Sequence, residues 1–247
     1  SYYKLDKPLH IQYINYLKRL VRGDLGFSFT TRRPVIDSIA QVFPNTIQLT
    51  AAAVLVAFTV AIPLGIISAV HHNTPLDHLS RIISMIGISM PNFWLGLLLL
   101  LWFGLRLDLL PMWGMGKISK GLWDYVSHLI LPSITLGTAL AGLLTRLTRS
   151  SFLDKLTDDY VYTARAKGLK ERVVLYKHVL RNAIIPVISM GGLQFGALLG
   201  GSMIVETIFA WPGMGRLAIN AIQKRDFPVL QGTTLIFAAS LMVTLLL

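Results

Sequence analysis

Cysteine is absent from the 247 residues, which excludes a disulfide and a thiolate metal site and leaves the redox compartment open. Charge is scarce: Asp, Glu, Lys and Arg make up 14% of the chain, against about 25% in ordinary soluble domains. Acids are the scarcer sign, with 12 carboxylates against 23 Lys and Arg and a formal charge of +11. No Gly-x-x-x-x-Gly-Lys-Ser/Thr phosphate loop occurs, so the chain is not expected to bind ATP in that way. No apolar run has the short core and cleavage site of a signal peptide, and no internal repeat is visible.

What is abundant is hydrophobic surface, 53% of the residues, more than a soluble core of this size can use. Five stretches carry no Asp, Glu, Lys or Arg: 47–70, 82–105, 125–145, 182–205 and 227–247. Each is long enough to cross a hydrocarbon layer of about 30 Å at about 1.5 Å per helical residue. The expected fold is therefore all-α, a polytopic membrane helical bundle with five spans. An ion-coupled secondary transporter normally needs an ionisable site at mid-membrane, and the five stretches offer none. An intramembrane enzyme needs a buried nucleophile with a base, or a carboxylate pair, and neither pattern occurs. The positive balance suits anionic membrane lipid; nucleic acid is a poor second choice.

The longest polar interval between two apolar runs covers 157–186. Thr157 or Asp158 can cap a helix over about 159–167, and Gly168 can end it in the left-handed conformation. Leu169, Val173, Tyr176 and Leu180 then fall at helical spacing, which predicts a second amphipathic helix. Ala164 and Ala166 leave the first helix thin enough for a protein groove to close around it. A helix-glycine-helix hook between spans suggests docking.

Other features follow along the chain. Residues 8–22 place Leu9, Tyr13, Leu17 and Leu20 on one helical face, suited to the membrane surface. A second amphipathic piece lies between Pro34 and Pro44, after which Asn45 is expected to cap the first span. Pro63, and Pro91 with Asn92, predict kinks, the latter pair a candidate bend in a translocation path. His71, His72, Asp77 and His78 resemble a metal cluster, but adjacent histidines do not easily share an ion, and a solvated turn is expected. His128 stands without a nucleophile motif and reads as an interfacial or packing residue. Ser133, Gly137, Ala141 and Thr145, and likewise Gly192, Gly196 and Gly200, are spaced for close helix approach, the second set toward a second copy of such a bundle or, the favoured reading, another helix of this chain. Gln194 is the one amide deep in the fourth span, a candidate path residue or an interhelical hydrogen bond. Trp211-Pro212-Gly213 is a turn signal, and Leu217, Ile219 and Ile222 suggest a short helix after it.

The hook resembles the signature loop of permease subunits in binding-protein-dependent ABC importers. That family's general pattern, Glu-Ala-Ala, three residues, Gly, nine residues, Ile-x-Leu-Pro, is met at Ala164, Gly168 and Leu180. Tyr-x-x-Thr-Ala-Arg-Ala-Lys-Gly-Leu followed by His-x-Leu-Arg-Asn-Ala is similar to the form in the dipeptide, oligopeptide and nickel branch. Gly23-Asp24-Leu25-Gly26, Pro91-Asn92-Phe93-Trp94-Leu95-Gly96, Glu206-Thr207-Ile208-Phe209 and Trp211-Pro212-Gly213-Met214-Gly215 extend the resemblance over nearly the whole chain.

The resemblance implies a type I ABC importer permease fold, with a further helix before Ser1 and six spans in the complete subunit. It implies a cytoplasmic coupling loop at 146–182 and an extracytoplasmic loop at 206–226, within a permease domain 45–247 that follows an extracytoplasmic amphipathic segment 1–44. Docking to an ATPase then falls to Tyr160, Thr163, Ala164, Arg165, Ala166, Lys167, Gly168 and Leu169. Pro91, Asn92 and Gln194 are expected along the path, and Glu206, Trp211, Pro212 and Gly213 at an outer gate or a binding-protein contact. The implied partners are a second permease, two cytoplasmic ATP-binding subunits, an extracytoplasmic solute-binding protein and membrane lipid. The implied cofactors, ATP and Mg, belong to the ATPases and not to this chain. The implied setting is a bacterial or archaeal cytoplasmic membrane, and the leading cargo is a peptide, with nickel chelates or glutathione as alternatives.

Charge tests the orientation. Lys and Arg number ten in 71–81 plus 146–182, against six in 106–124 plus 206–226, which favours a cytoplasmic hook. Adding seven from 1–44 reverses the totals to ten against thirteen; the resemblance favours the first orientation.

Overall fold

The computed structural model describes residues 8–246. The expected segments 1–44 and 227–247 begin and end, respectively, outside the described residues. Helix α1 (Leu9–Val21) forms as its spacing predicts, and Leu9, Tyr13 and Leu17 remain exposed on it.

Helix α2 (Val35–Val70) continues for 36 residues with Pro44 and Pro63 inside it. The expected break at Pro44 is absent, so the boundary at 44/45 falls inside a helix, and Asn45 caps nothing. Burial offsets the lost backbone bond. Val35 and Ile39, before the proline, pack with Met214, Ala221 and Val229, while Leu49 and Ala53, after it, pack with Phe209 and Trp211.

Helix α3 (Pro75–Ser89) and helix α4 (Asn92–Leu99), which continues as a π-helical stretch Leu100–Arg106, form a pair bent by 100° at Met90–Pro91. The expected second span is thus a sharply broken one, since Pro91 cannot continue the ladder of α3.

Helix α5 (Leu122–Leu156) is central, packing along α2 and against α3 and α4. Ser133, Gly137, Ala141 and Thr145 are all buried on it. A Cβ on Gly137 would stand 2.7 Å from the Ala53 carbonyl oxygen, and one on Gly142 2.5 Å from that of Ser84. Backbones meet there because no side chain intervenes, which is how helices adhere where lipid provides no hydrophobic drive.

Then come α6 (Asp159–Ala166), α7 (Glu171–Val173), a π-helical stretch Val174–Val179, α8 (Leu180–Ala183) and α9 (Ile185–Gly201). The axis bends by 44° between α8 and α9. Helices α10 (Met203–Ile208), α11 (Met214–Gln223) and α12 (Phe227–Leu246) complete the described chain. Among the described residues α2, α5 and α12 are each long and apolar enough to cross a membrane, and there are up to five such spans if each bent pair is one.

The glycines of α9 divide. A Cβ on Gly196 would stand 2.8 Å from Thr244 of α12, in this chain as expected, while one on Gly192 would meet nothing. At one end of the bundle Ile66, Ala69 and Phe152 pack with Val161, Ala164, Val174 and others of the hook. At the opposite end α10 and α11 pack on α2 and its neighbours.

Candidate functional site

The hook begins where α5 stops. Asp158 holds the N-cap position of α6 but makes no side-chain cap; its Oδ2 instead accepts from Lys155 Nζ at 2.8 Å. Gly168 ends the turn after α6 with φ +76°, the left-handed conformation anticipated there. Across that turn Arg165 Nε and Nη2 donate to Glu171 at 3.2 and 2.7 Å. Both side chains are well exposed, and the pair ties α6 to α7. The Arg165 guanidinium holds the Glu171 carboxyl below the usual carboxylate range.

The second helix departs from the expected stripe. Leu169, Val173 and Tyr176 are exposed, while Val174, Val179 and Ala183 are buried. The π-helical stretch Val174–Val179 is the reason: it advances about 4.4 residues per turn, so residues five apart share a face.

The docking candidates separate by face. Ala164 is buried with Val161 against Phe152 of α5 and Ile66 and Ala69 of α2, because Ala164 lies three positions beyond Val161 on the inner face of α6. Tyr160 packs at the edge of the same cluster, and its hydroxyl is buried without a hydrogen-bond partner among the described residues. Ala164 faces inward and Tyr160 is half-buried beside it. Thr163, Arg165, Ala166, Lys167, Gly168 and Leu169 are exposed, as is Tyr162 beside them.

At the base of the hook lies a group that sequence reasoning assigned to a solvated turn. Asp77 is fully buried. Arg149 of α5 engages it with two parallel bonds, Nε to Oδ1 at 2.7 Å and Nη2 to Oδ2 at 2.8 Å. Ser68 Oγ of α2 donates to Oδ1 at 2.6 Å, and the Asn73 amide donates to Oδ2 at 3.0 Å. One carboxylate thus joins α2, the 71–74 turn, α3 and α5. His71 and His72 are exposed, as the turn reading held. The available signal was Asp77 in the first turn of α3, one turn from Arg81 and far in sequence from its partner.

At the opposite end Glu206 is fully buried. Its Oε1 accepts from Thr46 Oγ1 at 2.9 Å and Ser202 Oγ at 2.8 Å, and its Oε2 from the Arg216 amide at 3.0 Å. Trp211, also buried, donates Nε1 to the Asn45 carbonyl at 3.0 Å, and Asn45 Nδ2 donates to the Pro212 carbonyl at 2.8 Å. Gly213 is required for space: a Cβ there would stand 2.4 Å from the Glu206 carboxylate. These residues fasten the 206–226 segment onto α2, with Glu206, Trp211 and Gly213 buried and Pro212 half-buried. The inner face of α11 is Met214, Gly215, Ala218 and Ala221, with Ile222 exposed rather than packed.

Pro91 is exposed at the 100° bend and Asn92 is half-buried beside it. Gln194 is half-buried and makes no hydrogen bond to another described residue, so the expected interhelical bond is not formed within the described chain. Pro91 and Asn92 lie together, and Gln194 lies on α9, apart from them in the chain.

Comparison with known proteins places this architecture. The model of a family described as the binding-protein-dependent transport system inner membrane component matches residues 61–247. The chain is 47% identical over 234 residues to the glutathione transport system permease protein GsiC of Escherichia coli K12, covering 95% of this chain and 74% of that protein. It is 46% identical over the same length to the namesake of Salmonella typhimurium. Among solved structures, the inward-facing MetNI methionine ABC transporter aligns with TM-score 0.70 at 14% identity, over 85% of this chain and 92% of that one. An amino acid ABC transporter aligns with TM-score 0.61 at 16% identity, over 85% and 90%. The bent, hooked bundle is shared with these two at the level of fold. The chain belongs to the inner-membrane components of binding-protein-dependent transport systems, the multi-pass permease subunits of ABC importers.

Proposed function

We propose that this permease forms a passive path for small peptides of the glutathione kind, and that ATPase subunits drive it through the outer face of the hook. The observation that carries the coupling reading is the two-faced α6. Val161 and Ala164 are seated against α2 and α5, while Thr163, Ala166 and Lys167 are open. A push on the open face is therefore transmitted into two long helices without slack, because a packed interior moves as a body. Two cytoplasmic ATPases holding ATP and Mg, a second permease and an extracytoplasmic solute-binding protein complete the reading. This chain itself performs no hydrolysis. The glutathione-like cargo rests on the two relatives at 46–47% identity. The outer gate is assigned to the 206–226 segment, with Glu206, Trp211, Pro212 and Gly213 as its anchor and its exposed side chains as the contact for the binding protein. Pro91, Asn92 and Gln194 are assigned to the path.

The test uses the absence of native cysteine. Thr163→Cys and Ala166→Cys, with Gln194→Cys as control, are paired with single cysteines on the ATPase in the assembled transporter. An ATP-sensitive cross-link from 163 or 166 and none from 194 is expected. No cross-link from either hook position in a transporting complex sinks the coupling reading. Uptake of labelled glutathione into proteoliposomes tests the cargo separately.

A further inference from the structure

Between α3, α5 and the first turns of α9, at the hook end of the bundle, lies a cleft of about 620 Å3. That is within the roughly 300–1,000 Å3 that bound small molecules occupy. One wall is basic, formed by Arg81, Arg146 and Arg149, and another is apolar, including Met85, Leu147 and Met190. No carboxylate lines it. The acid beneath it is Asp77, fully buried and engaged through both oxygens by Nε and Nη2 of Arg149. Nη1 of Arg149 is left without a protein acceptor among the described residues. Arg81 touches His78 and stands 3.8 Å from Asp77. Arg146 is exposed and has no partner among the described residues. Three guanidinium groups against one carboxylate leave two positive charges in excess at the cleft.

The depth of these groups matters as much as their charge. Arg146 follows directly on the uncharged run 125–145, at the level where hydrocarbon gives way to head groups. An unpaired guanidinium persists at that level when it meets water or an anion, and planar guanidinium forks match phosphate oxygens. We propose that the cleft binds an anionic phospholipid of the cytoplasmic leaflet, with its phosphate on Arg81, Arg146 and the free edge of Arg149 and its first acyl carbons on Met85, Leu147 and Met190. A lipid is favoured over a cargo carboxylate because the charged and apolar walls stand side by side at the membrane interface, the arrangement that basic pockets between spans use for lipid head groups. The bound lipid braces α3, α5 and α9 beside the Asp77 junction, and so stiffens the end of the bundle onto which the hook is packed.

The experiment compares the purified, assembled transporter with its Arg81→Gln/Arg146→Gln variant by native mass spectrometry, after incubation with phosphatidylglycerol or phosphatidylcholine. Arg149 is left intact because Asp77 depends on it. The wild-type complex is expected to retain phosphatidylglycerol in excess of the variant, with phosphatidylcholine retained equally weakly by both. The expected drop in apparent affinity is about twenty-five-fold, from two basic contacts at about fivefold each. If the double variant does not assemble, Arg146→Gln alone replaces it, with about fivefold expected. Equal retention by wild type and variant overturns the site. So does displacement of the bound phosphatidylglycerol by glutathione, which would reassign the cleft to cargo.

Discussion

Asp77 and Asp226, like Glu206, are acids whose surroundings reach across the chain. Asp77 binds α2, α3 and α5 through Ser68, Asn73 and Arg149. Asp77→Asn leaves the Arg149 guanidinium partly uncompensated, and removing one member of a buried pair typically costs about 3–5 kcal/mol. The expected outcome is a lower thermal unfolding midpoint for the purified complex, with recovery in Asp77→Leu/Arg149→Met, where neither charge remains. No recovery in the double variant would show that the fork is not what holds the three helices. Asp226 fastens the N-terminal loop to the start of α12, accepting from Ser28 Oγ at 2.5 Å and from the Phe29 and Thr30 amides at 3.1 Å each. Burial pushes its pKa up, but those hydrogen bonds outweigh it and hold the carboxyl below its ordinary value. The folded state therefore resists protonation more than the unfolded chain does. Its contribution is complete above the unfolded pKa of about 4 and is lost as pH falls through the lower folded value. Pepsin cleavage near Phe27 and Phe29 is expected to rise as pH falls below about 4, and Asp226→Asn to remove that step.

Among the elements, α9 gives the sharpest contrast. A Cβ on Gly191 would stand 2.2 Å from the Phe58 ring, whereas one on Gly192 meets nothing. Gly191→Ala must displace a packed aromatic ring and is expected to cost about 1–3 kcal/mol, as overpacking does. Gly192→Ala is expected to be neutral or to add up to about 1 kcal/mol of helix propensity. Melting curves of the two variants check the pair. The sequence spacing marks both α9 and α5 for close approach, and α5 meets that expectation along its length. Spacing misleads in the hook, where Leu169, Val173 and Tyr176 lie outward and Val174 and Val179 inward. The 3.6-residue period was the wrong ruler there, because a π-helical stretch forms when tertiary packing favours it. Similarly, Pro44 reads as a boundary, yet α2 continues because both of its halves are buried against distant helices.

For the whole molecule, α2 spans 36 residues, about 54 Å at about 1.5 Å per residue and longer than a hydrocarbon layer of about 30 Å. Part of it must therefore lie outside the hydrocarbon. With the hook cytoplasmic, Gln41→Cys is expected to react with a membrane-impermeant thiol reagent in intact cells, and His72→Cys only in inverted vesicles. The opposite pattern overturns the orientation. None of the 247 residues is a native cysteine that would compete for the reagent.

Composition and apolar run length alone determined that this is a helical membrane protein, since every uncharged stretch long enough to cross lipid is legible without contacts. The glycine that turns the hook was equally legible, because a left-handed backbone restricts residue type locally. Only the tertiary structure decided which face of α6 is open. It alone brought Arg149 to Asp77 across 72 positions and turned Glu206 and Trp211 from a surface into an anchor. Those outcomes depend on side chains far apart in sequence meeting in a packed interior, and no local period or spacing carries that information.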